Sequence, residues 1–156
     1  QLRYIQFDIQ RTAKSPQVEC CHPADAPYLS VVTTSTHDMS TIRGWWEEDT
    51  AKTQRFYNSN LGHHGTSPLY CEAKINKEIV IQHLYSPAMW SIFQIQDLLG
   101  MSENLRRKNP YQERINQPSD PNHFWKYRMH INLETLIKEK MFNDELKGLI
   151  KDSGRI

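Results

Sequence analysis

The pattern of hydrophobic and polar positions predicts three short β-strands. Residues 2–9 alternate between apolar and polar with period two, which is typical of a strand with one buried face. Residues 28–36 are short, rich in β-branched side chains and almost uncharged, as in a strand buried on both faces of a parallel sheet. Residues 89–96 form the third short apolar strand.

Helical patterns follow the second and third predicted strands. The first helix begins at Ser40 and Thr41 and stops near Gly62, because glycine favours a helix end. Four of its residues share one face: Trp46, Thr53, Phe56 and Tyr57. The second helix covers about residues 72–84 and ends before Pro87. Its inward positions are Ile75, Ile79 and Leu84.

Near the end of the chain, two asparagines are candidate helix caps. Asn132 is expected to cap a helix over residues 133–141, and Asn143 a helix over residues 144–151. The stretches 12–28 and 102–128 are punctuated by prolines and are predicted to be loops.

The order of these elements predicts an α/β fold. Strands separated by helices are typical of parallel βα units. Three parallel strands cannot close a barrel, and alone they leave both sheet edges open. Since the chain also begins at Gln1, we expect it to be a piece of a larger α/β sheet or barrel.

Composition narrows the function classes. The chain has 156 residues, the size of one domain, and its net charge of +1 does not favour nucleic acid or an anionic membrane as a partner. No apolar run reaches the roughly 18 residues of a membrane span. The three cysteines, Cys20, Cys21 and Cys71, suit neither a disulfide framework nor a zinc site, so we expect a reducing, cytoplasmic setting.

The strongest chemical signal is His37-Asp38, placed where the second predicted strand ends. In parallel α/β folds, the carboxyl ends of the strands line the active site. There the carboxylate can stabilise positive charge and the imidazole can hold a substrate hydroxyl. The alternative is structural: Asp38 caps the next helix and His37 is a packed, hydrogen-bonded histidine.

Four other motifs have a functional and a structural interpretation. His63-His64 is a metal site or a polar turn; Trp45-Trp46 stacks on a ligand or lies in the core. The basic residues 106–108 form a solvated surface or a binding patch. The aromatic stretch 124–128 binds a flat ligand or is merely an exposed loop. For the metal, the polar turn is the preferred interpretation, and no metal or cofactor is expected.

Four blocks carry a family resemblance. Residues 30–46, with His37-Asp38, together with residues 94–100 and the blocks 113–118 and 125–128, resemble the 4-α-glucanotransferases, also called amylomaltases or disproportionating enzymes. The blocks occur in the family's order and extend from about residue 2 to 139. Arg11, the long loop and Met39 are most similar to the plant cytosolic type and its bacterial relatives. Met39 stands where the short bacterial amylomaltases typically have asparagine, which affects the expected acceptor preference.

The resemblance implies the C-terminal part of a (β/α)8 barrel, with residues 1–156 supplying strands six to eight and the terminal helices. It implies transfer of glucosyl or glucan units between α-1,4-linked glucans with retention of configuration. Asp38 matches the family's transition-state stabiliser, which lies near the ring of the sugar at the cleaved bond. His37 matches a histidine that hydrogen-bonds that sugar. Asn116 and Trp125 are further candidate substrate-binding residues.

Retaining transfer also needs a nucleophile and an acid/base, which the resemblance places on earlier strands, outside this chain. The chain alone is therefore expected to be inactive. Its expected partners are maltose, malto-oligosaccharides or a glycogen-like glucan, and the remainder of its own barrel. The alternatives are a non-catalytic glucan-binding fragment and a scaffold that keeps only the strands.

Overall fold

Two parallel strands form the described sheet. The computed structural model describes residues 22–156. Strand β1 is Val31–Thr33 and strand β2 is Trp90–Ile92, paired in parallel with Val31 opposite Trp90. Every residue of β1 is buried, as its uncharged sequence predicts. The predicted strand at 2–9, together with Cys20 and Cys21, lies outside the described residues.

The segment after β1 forms two helices, so the prediction of one continuous helix up to Gly62 is wrong. Helix α1 is Ile42–Glu48 and helix α2 is Thr50–Ser59. Asp49 separates them with extended backbone, and its side chain accepts the N–H groups of Ala51 and Lys52 at 3.0 and 3.1 Å. A second N-cap inside the apolar pattern therefore starts a new helix.

Helix α3, Ala73–Leu84, confirms the second predicted helix. Its inward residues Ile75, Ile79 and Leu84 are all buried, as expected. The main core contains α1, α2, α3 and the segments that follow β2. Its buried members are Ile42, Trp45, Trp46, Phe56, Cys71, Ile75, Ile79, Val80, Leu84, Leu99, Met101, Leu105 and Phe142.

The tryptophan pair belongs to this core rather than to a ligand site. Trp46 is completely buried and donates its indole N–H to the carbonyl of Pro68 at 2.9 Å. The ring of Trp45 meets that of Phe56 edge-on at 5.3 Å. Both contacts are those of packed aromatic side chains.

Strand β2 is shorter than the apolar stretch 89–96. Gln94 is the N-cap of a five-residue helix α4, Ile95–Leu99, so the last residues of the predicted strand are helical instead. The turn into α4 brings Asp97 to the end of β1, where the hydroxyl groups of Thr34 and Ser35 donate hydrogen bonds to its carboxylate.

The remaining chain is a long loop followed by two helices. The loop contains a short 3-10 turn, Pro110–Glu113. Helix α5 is Leu133–Lys138 and helix α6 is Lys140–Asp152. Asn132 stands at the predicted cap position of α5 but makes no side-chain cap hydrogen bond.

The predicted cap at Asn143 is wrong. Helix α6 begins three residues earlier, and the Asn143 amide donates instead to the carbonyl of Leu136, at the end of α5. Leu146, Leu149 and Ile150 pack against the core as predicted. No helix within residues 22–156 is long and apolar enough to cross a membrane.

Candidate functional site

His37 and Asp38 lie in the turn between β1 and α1, at the carboxyl end of the sheet. The chain leaves the buried strand through Thr34 and Ser35 and then emerges, so that both side chains are about half exposed, 53% for His37 and 51% for Asp38. The imidazole Nε2 of His37 lies 3.4 Å from Oδ1 of Asp38. The two groups are thus adjacent and accessible to a ligand.

Asn116 holds the Asp38 carboxylate in place. Its side-chain amide donates to Oδ1 of Asp38 at 2.7 Å, and its backbone N–H donates to the carbonyl of His37 at 3.1 Å. Arg114 reinforces this contact, since its guanidinium reaches the carbonyl oxygens of Asn116 at 2.8 Å and of Asp38 at 3.4 Å. The loop from 113 to 116 is therefore bound directly to the His37-Asp38 turn.

Trp125 completes the group of predicted site residues. Its ring centroid lies 4.9 Å from that of His37, with the two planes tilted by 47°. The side chain is 60% exposed, and its neighbour Phe124 is 70% exposed. All four predicted residues, His37, Asp38, Asn116 and Trp125, are thus brought into one cluster, although they are up to 88 positions apart in the chain.

A cleft of about 260 Å³ opens beside His37. It runs along the carboxyl-terminal part of the sheet and is lined mostly by apolar and small polar side chains. The lining residues are Val31, Thr33, Ser35, Thr36, His37, Ile92, Phe93, Gln94 and Ile115. Because the described lining residues include no Asp, Glu, Lys or Arg, the cleft suits an uncharged ligand better than a strongly charged one.

A buried ion pair fixes the loop that carries Asn116. The guanidinium of Arg43, on α1, donates to the Glu113 carboxylate, and both side chains are almost fully buried. Thr41 also donates to Glu113, at 3.1 Å, and Gln96 donates to its carbonyl at 3.0 Å. Burial raises the pKa of the Glu113 carboxyl, and the Arg43 charge opposes that shift.

The Asp38 carboxylate is suited to stabilising positive charge. Within residues 22–156, its two side-chain contacts are both made through Oδ1, and the side chain keeps half of its surface accessible. A fixed carboxylate in such a position favours a neighbouring group in which positive charge develops.

The other candidate motifs take structural roles. His63 contacts the Glu78 carboxylate at 2.7 Å and stacks on Tyr57 at 4.7 Å, which agrees with the polar-turn interpretation. Among the described residues there is no group of three His, Cys, Asp or Glu side chains that could hold a metal ion.

The basic residues are not simply a solvated surface. Arg106 donates to the carbonyl of Cys71 at 2.7 Å. The Arg107 guanidinium lies 5.5 Å from the ring centre of Tyr127 and donates to the carbonyl of Arg128. Arg106 therefore attaches the long loop to the segment before α3, whereas Arg107 joins two parts of the loop to each other.

Sequence reasoning missed the residues that support the site. Arg114, Glu113 and Asp97 all lie inside the motif blocks, yet no role was expected for them. The only signal was chemical: Asp97 follows an apolar strand closely, where a carboxylate is expensive to bury unless several donors surround it. Arg114 carried no distinguishing signal, because it contacts two backbone carbonyls, of Asn116 and Asp38, and the hydroxyl of Ser40, which lies 74 positions away in sequence.

Comparison with known proteins identifies the family. The model of the family described as 4-alpha-glucanotransferase, glycoside hydrolase family 77, matches residues 1–134. The chain is 37% identical over 155 residues to the 4-alpha-glucanotransferase DPE2 of Oryza sativa subsp. japonica. It is 32% identical over 123 residues to the 4-alpha-glucanotransferase of Chlamydia trachomatis.

The fold is also similar to that of a solved structure, an amylomaltase from Streptococcus agalactiae in complex with acarbose. The TM-score is 0.64 at 18% identity, and the match covers 91% of this chain and 25% of that chain. In the relatives, the match spans a small part: 99% of this chain against 16% of the rice protein, and 78% against 23% of the chlamydial one. On the family match and the agreement in fold, the chain belongs to the 4-alpha-glucanotransferase family.

Proposed function

We propose that this chain is the C-terminal part of the catalytic barrel of a 4-α-glucanotransferase. In this proposal residues 1–156 supply strands six to eight of a (β/α)8 barrel together with the terminal helices. Two observations support it: β1 and β2 are parallel and joined through helices, and the match covers only 16% of the rice relative's length. The remainder of the barrel would then cover the open sides of the two-stranded sheet.

The complete enzyme would transfer glucosyl or glucan units between α-1,4-linked glucans and retain the anomeric configuration. Such chemistry uses a carboxylate nucleophile and a carboxylic acid about 5–5.5 Å apart. Neither is assigned to this chain. The donor or acceptor would be maltose, a malto-oligosaccharide or a glycogen-like glucan, in the cytoplasm; the burial of Cys71 as a free thiol suits a reducing compartment.

Asp38 would act as the transition-state stabiliser. The observation that carries this role is its position: an accessible carboxylate at the end of β1, held through Oδ1 by Asn116 and bordered by His37. The oxocarbenium-like transition state carries positive charge that the bound sugar lacks. A fixed anion therefore lowers the energy of the transition state more than that of the substrate complex.

His37 and Trp125 would form the sugar-binding side of this site. Imidazole nitrogens exchange hydrogen bonds with sugar hydroxyls, and an exposed indole face packs on the apolar face of a pyranose ring. His37 also lines the cleft. Asn116, by contrast, would act mainly through Asp38, because its amide is already engaged with that carboxylate.

The test is the Asp38→Asn variant of the complete enzyme, assayed for glucose release from maltose in the presence of glycogen. We expect the turnover number to fall by at least about 100-fold, as for other lost charge-stabilising groups. The exposed Asp144, on α6, provides the control: Asp144→Asn removes the same charge at a distance and leaves turnover unchanged. Full activity of Asp38→Asn contradicts the proposed role.

The 156-residue chain forms a second arm of the same experiment. Without a nucleophile and an acid/base it is expected to release no glucose above a buffer blank. Calorimetry with a malto-oligosaccharide on this chain then separates two alternatives. If the 156-residue chain binds the malto-oligosaccharide but the complete enzyme shows no turnover, a glucan-binding protein is favoured. If neither form binds the sugar, a scaffold is favoured.

A further inference from the structure

A buried carboxylate lies directly behind the His37-Asp38 turn. Asp97, in α4, is only 1% exposed. Its Oδ2 accepts the hydroxyl groups of Thr34 at 2.6 Å and Ser35 at 2.7 Å, and its Oδ1 accepts the backbone N–H of Ile42 at 2.9 Å. All three partners are neutral donors.

These donors lie on the two sides of the proposed catalytic turn. Thr34 and Ser35 follow the last residue of β1, whereas Ile42 is the first residue of α1. The six residues between Ser35 and Ile42 include His37 and Asp38. One side chain therefore fixes both ends of the segment, and the separation of the two ends is set by the two oxygens of a single carboxylate.

Asp97 is itself held rigidly. The Asn76 amide, on α3, donates to the backbone carbonyl of Asp97 at 2.7 Å, and Asn76 is completely buried. Gly100 allows this approach, because a Cβ atom at that position would collide with the Asn76 side chain. Gln94 adds a further contact at the strand end, donating to the Ser35 hydroxyl at 2.7 Å.

We propose that Asp97 is a positioning residue, which sets the location of the Asp38 carboxylate and the His37 ring by fixing both ends of their turn. It touches no substrate and acts only through these two residues. The inference rests on the proposed function for its consequence on turnover. Its structural content, that the turn moves when Asp97 is altered, is independent of that function.

The carboxylate is required because every neighbour donates. Asparagine has the same shape but only one acceptor oxygen, so it can satisfy either the two hydroxyls or the Ile42 N–H. If its oxygen faces Ile42, its NH₂ group faces Thr34 and Ser35, whose hydroxyl hydrogens then point away and lose the acceptor that they have in the wild type. Asp97→Asn therefore disturbs the strand end of the turn while it keeps the volume of the side chain.

The first arm of the test uses the 156-residue chain and needs no activity. In two-dimensional ¹H–¹⁵N NMR spectra, Asp97→Asn is expected to shift the backbone amides of His37 and Asp38 and the indole N–H of Trp125. The control is Val80→Ala, a cavity in the buried face of α3 that should leave these three signals in place. Unmoved signals in a folded Asp97→Asn variant overturn the proposal. If that variant does not fold, Ser35→Ala removes one donor and takes its place under the same criterion.

The second arm uses the complete enzyme. Asp97→Asn is expected to lower the turnover number about tenfold or more with KM changed less than twofold, whereas Val80→Ala lowers the melting temperature without lowering turnover. In the Asp38→Asn background, the effect of Asp97→Asn on turnover should be clearly smaller, because only the positioning of His37 is then left to lose. An equal effect in both backgrounds overturns the proposal. Shifted NMR signals combined with an inactive wild-type enzyme would contradict the proposed function and leave the positioning role intact.

Discussion

The two aspartates near the end of β1 differ because of their surroundings. Asp38 is half exposed and is held through one oxygen, so its carboxylate can face a ligand. Asp97 is buried, and its oxygens are taken up by three donors from the protein. Burial raises the pKa of the Asp97 carboxyl, and the three hydrogen bonds oppose that shift. The same residue type therefore serves one role at the surface and another beneath it.

At the same scale, the contact between Asn116 and Asp38 can be tested through its charge. Asn116→Ala removes one hydrogen bond to a charged group, worth about 1.5 kcal/mol at the low end, so turnover of the complete enzyme should fall roughly tenfold. Asn116→Asp places a second carboxylate against Asp38. Because two adjacent carboxylates share a proton, the acidic limb of the rate profile should move to higher pH in this variant alone.

The control for that experiment is Asn122→Asp, which adds the same charge to an exposed position of the same loop. Its pH profile should match that of the wild type. A different result would be that Asn116→Ala raises KM without changing turnover, and that the pH profile of Asn116→Asp matches that of the wild type. In that case Asn116 binds substrate directly and does not orient Asp38. Turnover and KM measured from pH 4 to 8 distinguish these outcomes.

At the scale of single elements, the sequence predicted correctly those helices and strands whose ends are determined by neighbouring residues. Helix α3 agrees with its prediction because its inward positions and the following Pro87 give one consistent signal. The break at Asp49 was missed because Trp46 and Thr53 keep a helical spacing across it: the Thr53 hydroxyl donates to the Trp46 carbonyl at 2.8 Å. The early end of β2 was missed because its cause, the contact between Asp97 and the end of β1, joins residues more than 60 positions apart.

The residues of the candidate site show the same difference between local signals and contacts that are distant in sequence. His37 and Asp38 were proposed as site residues because they are adjacent in sequence and follow a recognisable strand. Asn116 and Trp125 were proposed through the family resemblance, and their contacts with the turn were not predictable from spacing. The supporting residue Arg114 was missed because two of its contacts are to backbone carbonyls, which any sequence provides, and the third is to the hydroxyl of the distant Ser40.

The Asp49 cap makes a prediction about α2 that depends on pH. Its hydrogen bonds with the Lys52 backbone and side chain hold the pKa of the Asp49 carboxyl below the usual value of about 3.9. Between the pKa of this carboxyl in the folded chain and that in the unfolded chain, the unfolded chain binds more protons. The stabilisation of the fold by the Asp49 charge is therefore present above about pH 4 and is lost as the pH falls further. Asp49→Asn keeps the cap but lacks the charge, and it should melt at a lower temperature than the wild type at pH 7.

At pH 3 the difference in melting temperature between the wild type and Asp49→Asn should be smaller than at pH 7. Asp49→Ala, which lacks both the charge and the cap, should melt lowest at pH 7 and stay below Asp49→Asn at pH 3. Thermal unfolding of the three proteins, followed by circular dichroism at both values, provides the measurement. A constant difference between the wild type and Asp49→Asn at the two pH values would contradict the assigned role of the charge.

At the scale of the whole molecule, the described residues form one parallel βα unit with its helices packed together. Several long-range contacts close this unit, including Arg155, near the end of α6. Its guanidinium donates to the carbonyls of Leu84 at 2.6 Å and Ser86 at 2.7 Å, between α3 and β2. Arg155 therefore fastens the end of the chain to the segment between α3 and β2, whereas β2 itself has an apolar face that is uncovered within residues 22–156.

That uncovered face leads to the last prediction, that the chain associates with itself. Trp90 and Ile92 are alternate residues of β2 on one face, and they are 52% and 55% exposed. In a sheet, such side chains are normally covered by further chain, and two copies can cover them for each other. Light scattering coupled to size-exclusion chromatography should therefore give a mass that rises above 18.4 kDa with concentration.

The double variant Trp90→Lys, Ile92→Lys should stay monomeric. Ile137→Lys, which changes an equally apolar and more exposed residue of α5, should associate like the wild type. A concentration-independent monomer, or the same loss of association in Ile137→Lys, would show that the β2 face is not the contact.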